Sequence, residues 1–131
     1  EHALDYARQR ETFGRPIASH QGVAFMLADM AREIETARYL TWQAAYLIEE
    51  RLEKEPGNSH DILSEALTAK ACAQEMVMKV TTDAVQIYGG YGYSKEYPVE
   101  KLMRDAKVYQ LIEGSPQKLK CALAKELVTS H

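Results

Sequence analysis

At 131 residues the chain is one domain's worth of material, taking roughly 100 to 200 residues per domain. With 46% hydrophobic and 27% charged residues it is an ordinary folded composition, which excludes a disordered or collagen-like polymer. Sixteen Lys plus Arg against nineteen Asp plus Glu leave a formal net charge of -3 with no polybasic tract, which excludes nucleic acid as the main partner because phosphate binding needs clustered cations. No uncharged stretch approaches the roughly 20 apolar residues of a membrane span, and the N-terminus carries no signal-peptide pattern. Cys72 and Cys121 lack CxxC or Cys/His spacing, so neither a disulfide framework nor a metal site is indicated; both read as small buried hydrophobes.

The opening Glu1-His2-Ala3-Leu4-Asp5-Tyr6-Ala7-Arg8 has no initiator Met and no capping signal. It reads as a helix already under way, so the chain is expected to be a piece cut from a longer protein. A first long helix follows from Val23: apolar residues at Val23, Leu27, Met30, Ile34, Ala37, Ala44 and Ile48, broadened by Met26, Leu40 and Leu47, step by three and four. The charged run 49–57 ends it. Asn58 or Ser59 is positioned to cap a second long helix, with Asp61 in its first turn. That helix carries Ile62, Ala66, Ala69, Ala73, Met76, Val80, Ala84 and Ile87, and its alanines allow close helix packing. It stops at Gly89-Gly90-Tyr91-Gly92-Tyr93. A shorter helix starts at Pro98 and presents Leu102, Met103 and Ala106, and a last one starts at Ser115-Pro116, cap then proline, and presents Leu119, Ala122, Leu123 and Leu127. No strand pair is apparent. The spacing predicts an all-α, antiparallel four-helix bundle preceded by the helical remnant at 1–10.

A bundle alone does not specify an activity. The joints between helices hold the less ordinary residues. Arg10-Glu11-Thr12-Phe13-Gly14-Arg15-Pro16 precedes the first long helix; the segment 86–98 contains Gly-Gly-Tyr-Gly and four tyrosines; Leu111-Ile112-Glu113-Gly114-Ser115 puts a carboxylate at the mouth of the last helix. A charged donor, a hydroxyl and an apolar surface, as in Arg10, Thr12 and Phe13, are what a dinucleotide pyrophosphate and its ring require. Side-chain-free backbone at Gly89 and Gly90 lets N–H groups approach phosphate, although the same glycines equally serve as a helix C-cap and turn. The segment is not a Rossmann fingerprint, because the helix comes before the glycines. A loop carboxylate such as Glu113, buried by a substrate, rises in pKa toward the range of a general base; unburied, it is a solvated loop residue. The tyrosines at 88, 91, 93 and 97 read as packing and rim residues, and Arg104 and Asp105 as a candidate ion pair fixing the loop ahead of Glu113.

Together these segments resemble the C-terminal domain of the flavin-dependent acyl-CoA dehydrogenases. The likeness rests on Tyr-Ala-Arg-Gln-Arg-Glu-Thr-Phe-Gly at 6–14, His20-Gln21, Phe25-Met26-Leu27-Ala28-Asp29-Met30-Ala31, the run from Asp83 to Tyr93, and Tyr97-Pro98-Val99-Glu100-Lys101-Leu102-Met103-Arg104-Asp105-Ala106-Lys107. The resemblance implies that an N-terminal helical domain and a middle β-domain are absent from this chain, and that FAD is the cofactor. It implies Glu113 as the base that takes the α-proton of an acyl-CoA thioester while the β-hydride passes to the flavin N5. It implies contacts to FAD from Arg10, Thr12, Phe13, Gln21, Gln86, Gly89, Gly90, Ser115 and Gln117, with Gln86 and the glycines reaching the flavin of an adjacent subunit. The implied partners are the acyl-CoA substrate, an electron-transfer flavoprotein and further copies of the chain in a dimer or tetramer. The implied compartment is the cytoplasm for a bacterial protein and the mitochondrial matrix for a eukaryotic one. Ile112 stands where the family often has Tyr, Ser115 where it has Thr, and Pro116 and Lys118-Leu119-Lys120 depart from its usual run, which leaves acyl-chain preference open. Two alternatives stand beside this reading: an acyl-CoA oxidase, and a non-catalytic helical oligomerisation module.

Overall fold

The computed structural model describes residues 1–54, 60–112 and 114–129, without the side chains of residues 60–62 and 129. The expected caps Asn58 and Ser59, the Asp61 and Ile62 side chains and Glu113 lie outside the described residues. Among the described residues, five α-helices follow one another: α1 (His2–Gln9), α2 (Gln21–Lys54), α3 (His60–Tyr88), α4 (Pro98–Tyr109) and α5 (Pro116–Thr129). Four of them form the expected bundle, with α1 as the helical lead-in. α2 has 34 residues, so at 1.5 Å per residue it is roughly 50 Å long.

α3 is the centre of the arrangement and touches α1, α2, α4 and α5. It runs antiparallel to α2, as two crossing ion pairs show: Lys79 with Glu33 at 2.9 Å near one end and Arg51 with Glu65 at 3.1 Å near the other. Lys120 of α5 reaches Glu75 at 2.7 Å. The α2 stripe faces inward as its spacing predicts, with Met30, Ala37 and Ala44 buried, and α3 buries Ala69 and Ile87. Small residues dominate this seam. A second, richer cluster closes one end, where Ala3, Ala7, Ile17, Met30 and Ile87 pack together with Val23, Leu27 and Val80 around them.

Four features depart from the sequence expectations. A strand pair does exist among the described residues: β1 (Glu11–Thr12) pairs antiparallel with β2 (Arg15–Pro16), Thr12 opposite Arg15. The turn between them has positive φ at both Phe13 (+52°) and Gly14 (+75°), as a tight primed hairpin turn requires. Its first central residue is an aromatic rather than Asn, Asp or Gly, which hid the hairpin from sequence reading. Leu102 and Leu127 are exposed, while Val99 carries the burial in α4 at 1% exposure. Arg104 and Asp105 do not pair with each other: Arg104 binds Glu100 at 2.7 Å and Asp105 binds Lys101. Both are one-turn pairs on the surface of α4, favoured by i,i+4 spacing over adjacent residues that point to different sides. Cys121 is exposed, whereas Cys72 is half-buried.

α5 begins as its sequence predicts. The Ser115 hydroxyl accepts from the Lys118 N–H at 3.4 Å, and the Ser115 carbonyl accepts from Leu119 N–H. Ser at the cap and Pro at the first helical position account for the sharp start.

Candidate functional site

The hairpin and the turn after α3 meet at the end of the bundle where α1 docks. Two stacked tyrosines hold this docking: the rings of Tyr6 and Tyr88 lie 4.0 Å apart and nearly parallel. The Tyr88 hydroxyl donates to the His2 carbonyl at 3.2 Å. Burial, followed by the neighbouring Tyr6, raises the Tyr88 phenol pKa above its ordinary value, so it stays a neutral donor.

α3 ends at Tyr88 and Gly89 follows with φ +61°, the left-handed conformation that terminates many helices. The chain then tightens into a 3₁₀ turn over Gly89–Tyr93. Gly92 is buried in that turn, and a Cβ there would collide with Val85 O, Tyr88 Cβ at 2.9 Å and Val85 Cα at 3.0 Å. Gly89 and Gly90 are the opposite case: a Cβ at either would meet nothing within 4 Å. Their backbone therefore faces open space.

That open space is a cavity of about 490 Å³. Arg10 and Thr12 line it on one side and Gly89, Gly90 and Tyr91 on the other, over Ile17 and Ile87. The structure thus brings together four of the sequence-predicted residues, Arg10, Thr12, Gly89 and Gly90, from segments far apart in the chain. The Arg10 guanidinium lies 5.8 Å from the centre of the Tyr91 ring and has no carboxylate partner among the described residues. A cation held on an aromatic face keeps its outward N–H groups available.

Thr12 is oriented by His20, which sequence reading placed in the resemblance but gave no role. His20 Nδ1 lies 3.1 Å from Arg15 Nη2, which can only donate, so Nδ1 accepts and the ring proton resides on Nε2. Nε2–H then donates to Thr12, whose Oγ1 is 3.0 Å and carbonyl 3.2 Å away. The Thr12 hydroxyl accepts from the ring, and its own proton is free for a ligand in the cavity.

The other predicted contacts do not line this cavity. Phe13 stands 97% exposed on the hairpin turn, which removes any core role. Gln21 opens α2, Gln86 lies in the last turn of α3 and Gln117 in the first turn of α5, all three exposed. Ser115 is half-buried as the α5 cap.

Midway along α3, a second concavity of about 360 Å³ lies between Ala73, Met76 and Val77 of α3 and Tyr109 and Ile112. Its lining is mostly apolar, and it abuts the segment that holds Glu113 in the sequence. Gln74 belongs to this wall and is 4% exposed. It was not singled out in the sequence, where it reads as one polar residue beside an apolar stripe.

The profile of the family described as "Acyl-CoA dehydrogenase, C-terminal domain" matches residues 1–128. The chain belongs to this family. It is 49% identical over 128 residues to an acyl-CoA dehydrogenase of Bacillus subtilis (strain 168), covering 98% of this chain and 32% of that one. Butyryl-CoA dehydrogenase from Megasphaera elsdenii has the same fold, with a TM-score of 0.85 at 42% identity over 97% of this chain and 31% of that one. A chain from a structure of the electron transferring flavoprotein of Acidaminococcus fermentans matches with a TM-score of 0.83 at 45% identity, over 95% and 31% respectively. The chain thus spans about a third of the length of these relatives. The all-α, C-terminal-domain architecture read from the sequence is the family's. Among the described residues, no helix is long and apolar enough to cross a membrane.

Proposed function

We propose that the chain is the C-terminal helical domain of an FAD-dependent acyl-CoA dehydrogenase, completed by an N-terminal helical domain and a middle β-domain, and that it supplies the base and part of the flavin site. The observation that carries this reading is the cavity in which Arg10 and Thr12 face the exposed backbone of Gly89 and Gly90. Its donor set fits a dinucleotide pyrophosphate: a guanidinium without a carboxylate partner among the described residues, a hydroxyl with a free proton, and glycines with open space before them.

In this reading Arg10 and Thr12 bind phosphate oxygens, Gly89 and Gly90 let the diphosphate approach, and Tyr91 offers a ring face. Phe13, Gln21, Gln86, Ser115 and Gln117 are assigned to the same cofactor by resemblance. Phe13 and the three glutamines are exposed, which leaves them accessible to a cofactor, and Gln86 is the one assigned, with the glycines, to the flavin of an adjacent subunit. Glu113, as a carboxylate, takes the α-proton of the acyl-CoA, and its backbone N–H donates to the thioester oxygen, favouring the enolate-like charge as it develops. FAD, when bound, supplies the acceptor for the β-hydride. The acyl-CoA loses one proton and one hydride and leaves as the trans-2-enoyl-CoA; the electrons pass on to an electron-transfer flavoprotein.

Assembly into a homo-oligomer is supported by the outer face of α2. Tyr39, Trp42 and Tyr46 are exposed there at steps of three and four residues, and Phe25 is exposed earlier on the same helix; clustered exposed apolar side chains mark interaction surfaces. The same face favours the second reading, an oligomerisation module without chemistry.

One experiment separates them. The full-length protein is mixed anaerobically with butyryl-CoA while the visible flavin band is followed and the product is analysed. Bleaching with formation of the enoyl-CoA is the expected result. A colourless protein that cannot be reconstituted with FAD supports the oligomerisation module, and reoxidation by oxygen at turnover speed identifies an oxidase.

A further inference from the structure

Gln74 occupies an unusual position for a polar residue. It is the one side chain among the described residues that is both polar and buried in the core, at 4% exposure in the middle of α3. Its Nε2 donates to two backbone carbonyls, Tyr109 at 2.5 Å and Gly114 at 3.2 Å. Both targets are acceptors only, so the amide orientation is fixed by chemistry: the nitrogen and not the oxygen must face them. Its Oε1 is buried with no partner among the described residues. A buried acceptor left unsatisfied is unfavourable, and a Met or Leu of similar volume would fill this space without it. What the amide contributes here that a Met or Leu could not is its two donated bonds.

Those two bonds span a short stretch of chain. Tyr109 is the last residue of α4, where carbonyls lose their helical partners. Gly114 has φ +110° and leads into Ser115, the cap of α5. Between them in sequence lies the segment 110–113, which ends in Glu113. The amide thus ties both flanks of this segment to the rigid central helix with one NH2 group. Resting on the reading above of Glu113 as the base, we infer that Gln74 is a positioning residue: it sets the distance between the end of α4 and Gly114, the two flanks of the segment that carries Glu113 in the sequence.

Displacement of a reacting group by about 1 Å is enough for a loss on the order of 100-fold in rate. The test is made in the full-length, flavin-loaded protein with Gln74→Met, which keeps the volume and removes both donors. The expected result is a kcat lowered about 10- to 100-fold with KM for butyryl-CoA nearly unchanged. A larger kinetic isotope effect with α-deuterated butyryl-CoA is expected with it, because proton abstraction becomes the slow step. A role confined to capping α4 would lower thermal stability and leave the isotope effect as in the parent. Parent kcat and parent isotope effect in Gln74→Met therefore overturn the inference. If that variant does not retain flavin, Gln74→Asn carries the test: its shorter amide cannot span both carbonyls, a lowered kcat with a raised isotope effect supports the positioning role, and parent values overturn it. Glu113→Gln is measured beside them. Turnover retained in Glu113→Gln removes the base itself, whereas its loss together with parent behaviour in the Gln74 variants removes only the positioning role.

Discussion

The three glycines after α3 predict three different outcomes for one substitution. In Gly92→Ala the new methyl meets Val85 O, Val85 Cα at 3.0 Å and Tyr88 Cβ at 2.9 Å. None of these is the far end of a flexible side chain, so the turn itself must move. Overpacking of this kind costs about 1–3 kcal/mol. In Gly89→Ala there is open space but φ is +61°, and a left-handed non-glycine residue costs about 1–2 kcal/mol. Part of that is offset by the about 0.4–1 kcal/mol that Ala gains over Gly through the less flexible unfolded chain. Gly90→Ala has neither a positive φ nor a neighbour within 4 Å, so its stability should be unchanged or slightly raised. Equilibrium urea unfolding of the 131-residue chain, followed by far-ultraviolet circular dichroism, should rank the variants Gly90 above Gly89 above Gly92. Flavin retention by the full-length protein should not follow that ranking. Gly90→Ala places a methyl in the cavity proposed for the diphosphate, so it should lose flavin while remaining fully stable. Gly92→Ala as stable as the parent would refute the steric argument, and unaltered flavin affinity in Gly90→Ala would refute the assignment of the cavity.

Two further predictions concern the same end of the bundle. Because burial holds the Tyr88 phenol above its ordinary pKa of 10.0, the folded state binds that proton more tightly than the unfolded one. Its contribution is complete below pH 10.0 and is lost as the pH rises through the folded value. Tyr88→Phe should remove this step from the alkaline stability profile and, with the bond to the His2 carbonyl gone, cost about 0.5–1.5 kcal/mol at neutral pH; an identical alkaline profile would count against it. The isolated 131-residue chain should bind FAD weakly, because one face of a shared site offers too few contacts; stoichiometric retention through gel filtration would show that the site is complete within this domain.

Much of the fold was legible because helices announce themselves through apolar spacing, and this chain has few interruptions. The stripe from Val23 to Ile48 and the Ser115-Pro116 cap both stand where the residues put them. What escaped depended on tertiary context. Phe13 at positive φ is not a turn residue by propensity; the hairpin exists because Gly14 and the His20 contacts to Thr12 and Arg15 stabilise it. Leu102 and Val99 are equally apolar in sequence, and only the packing of α4 against α3 decides which is buried. Arg104 and Asp105 are neighbours in the chain, yet each pairs one turn away along the helix. Of the site, Arg10, Thr12, Gly89 and Gly90 stood out one by one as residues of the joints between helices, but that they line a single cavity emerges only from the fold, because the two segments lie about 80 residues apart in the chain. Gln74 did not stand out, because its meaning lies in the two carbonyls it reaches 35 and 40 residues further on.

The proposed chemistry converges on one carboxylate, and Glu113→Gln in the full-length protein tests it most directly. The variant keeps the size and polarity of the side chain and removes its ability to take a proton. Mixed anaerobically with butyryl-CoA, it should retain its flavin and its substrate affinity while bleaching of the flavin band slows by at least about 10²- to 10⁴-fold, the usual contribution of a positioned general base. Bleaching at the parent rate, with enoyl-CoA formed, would contradict the account.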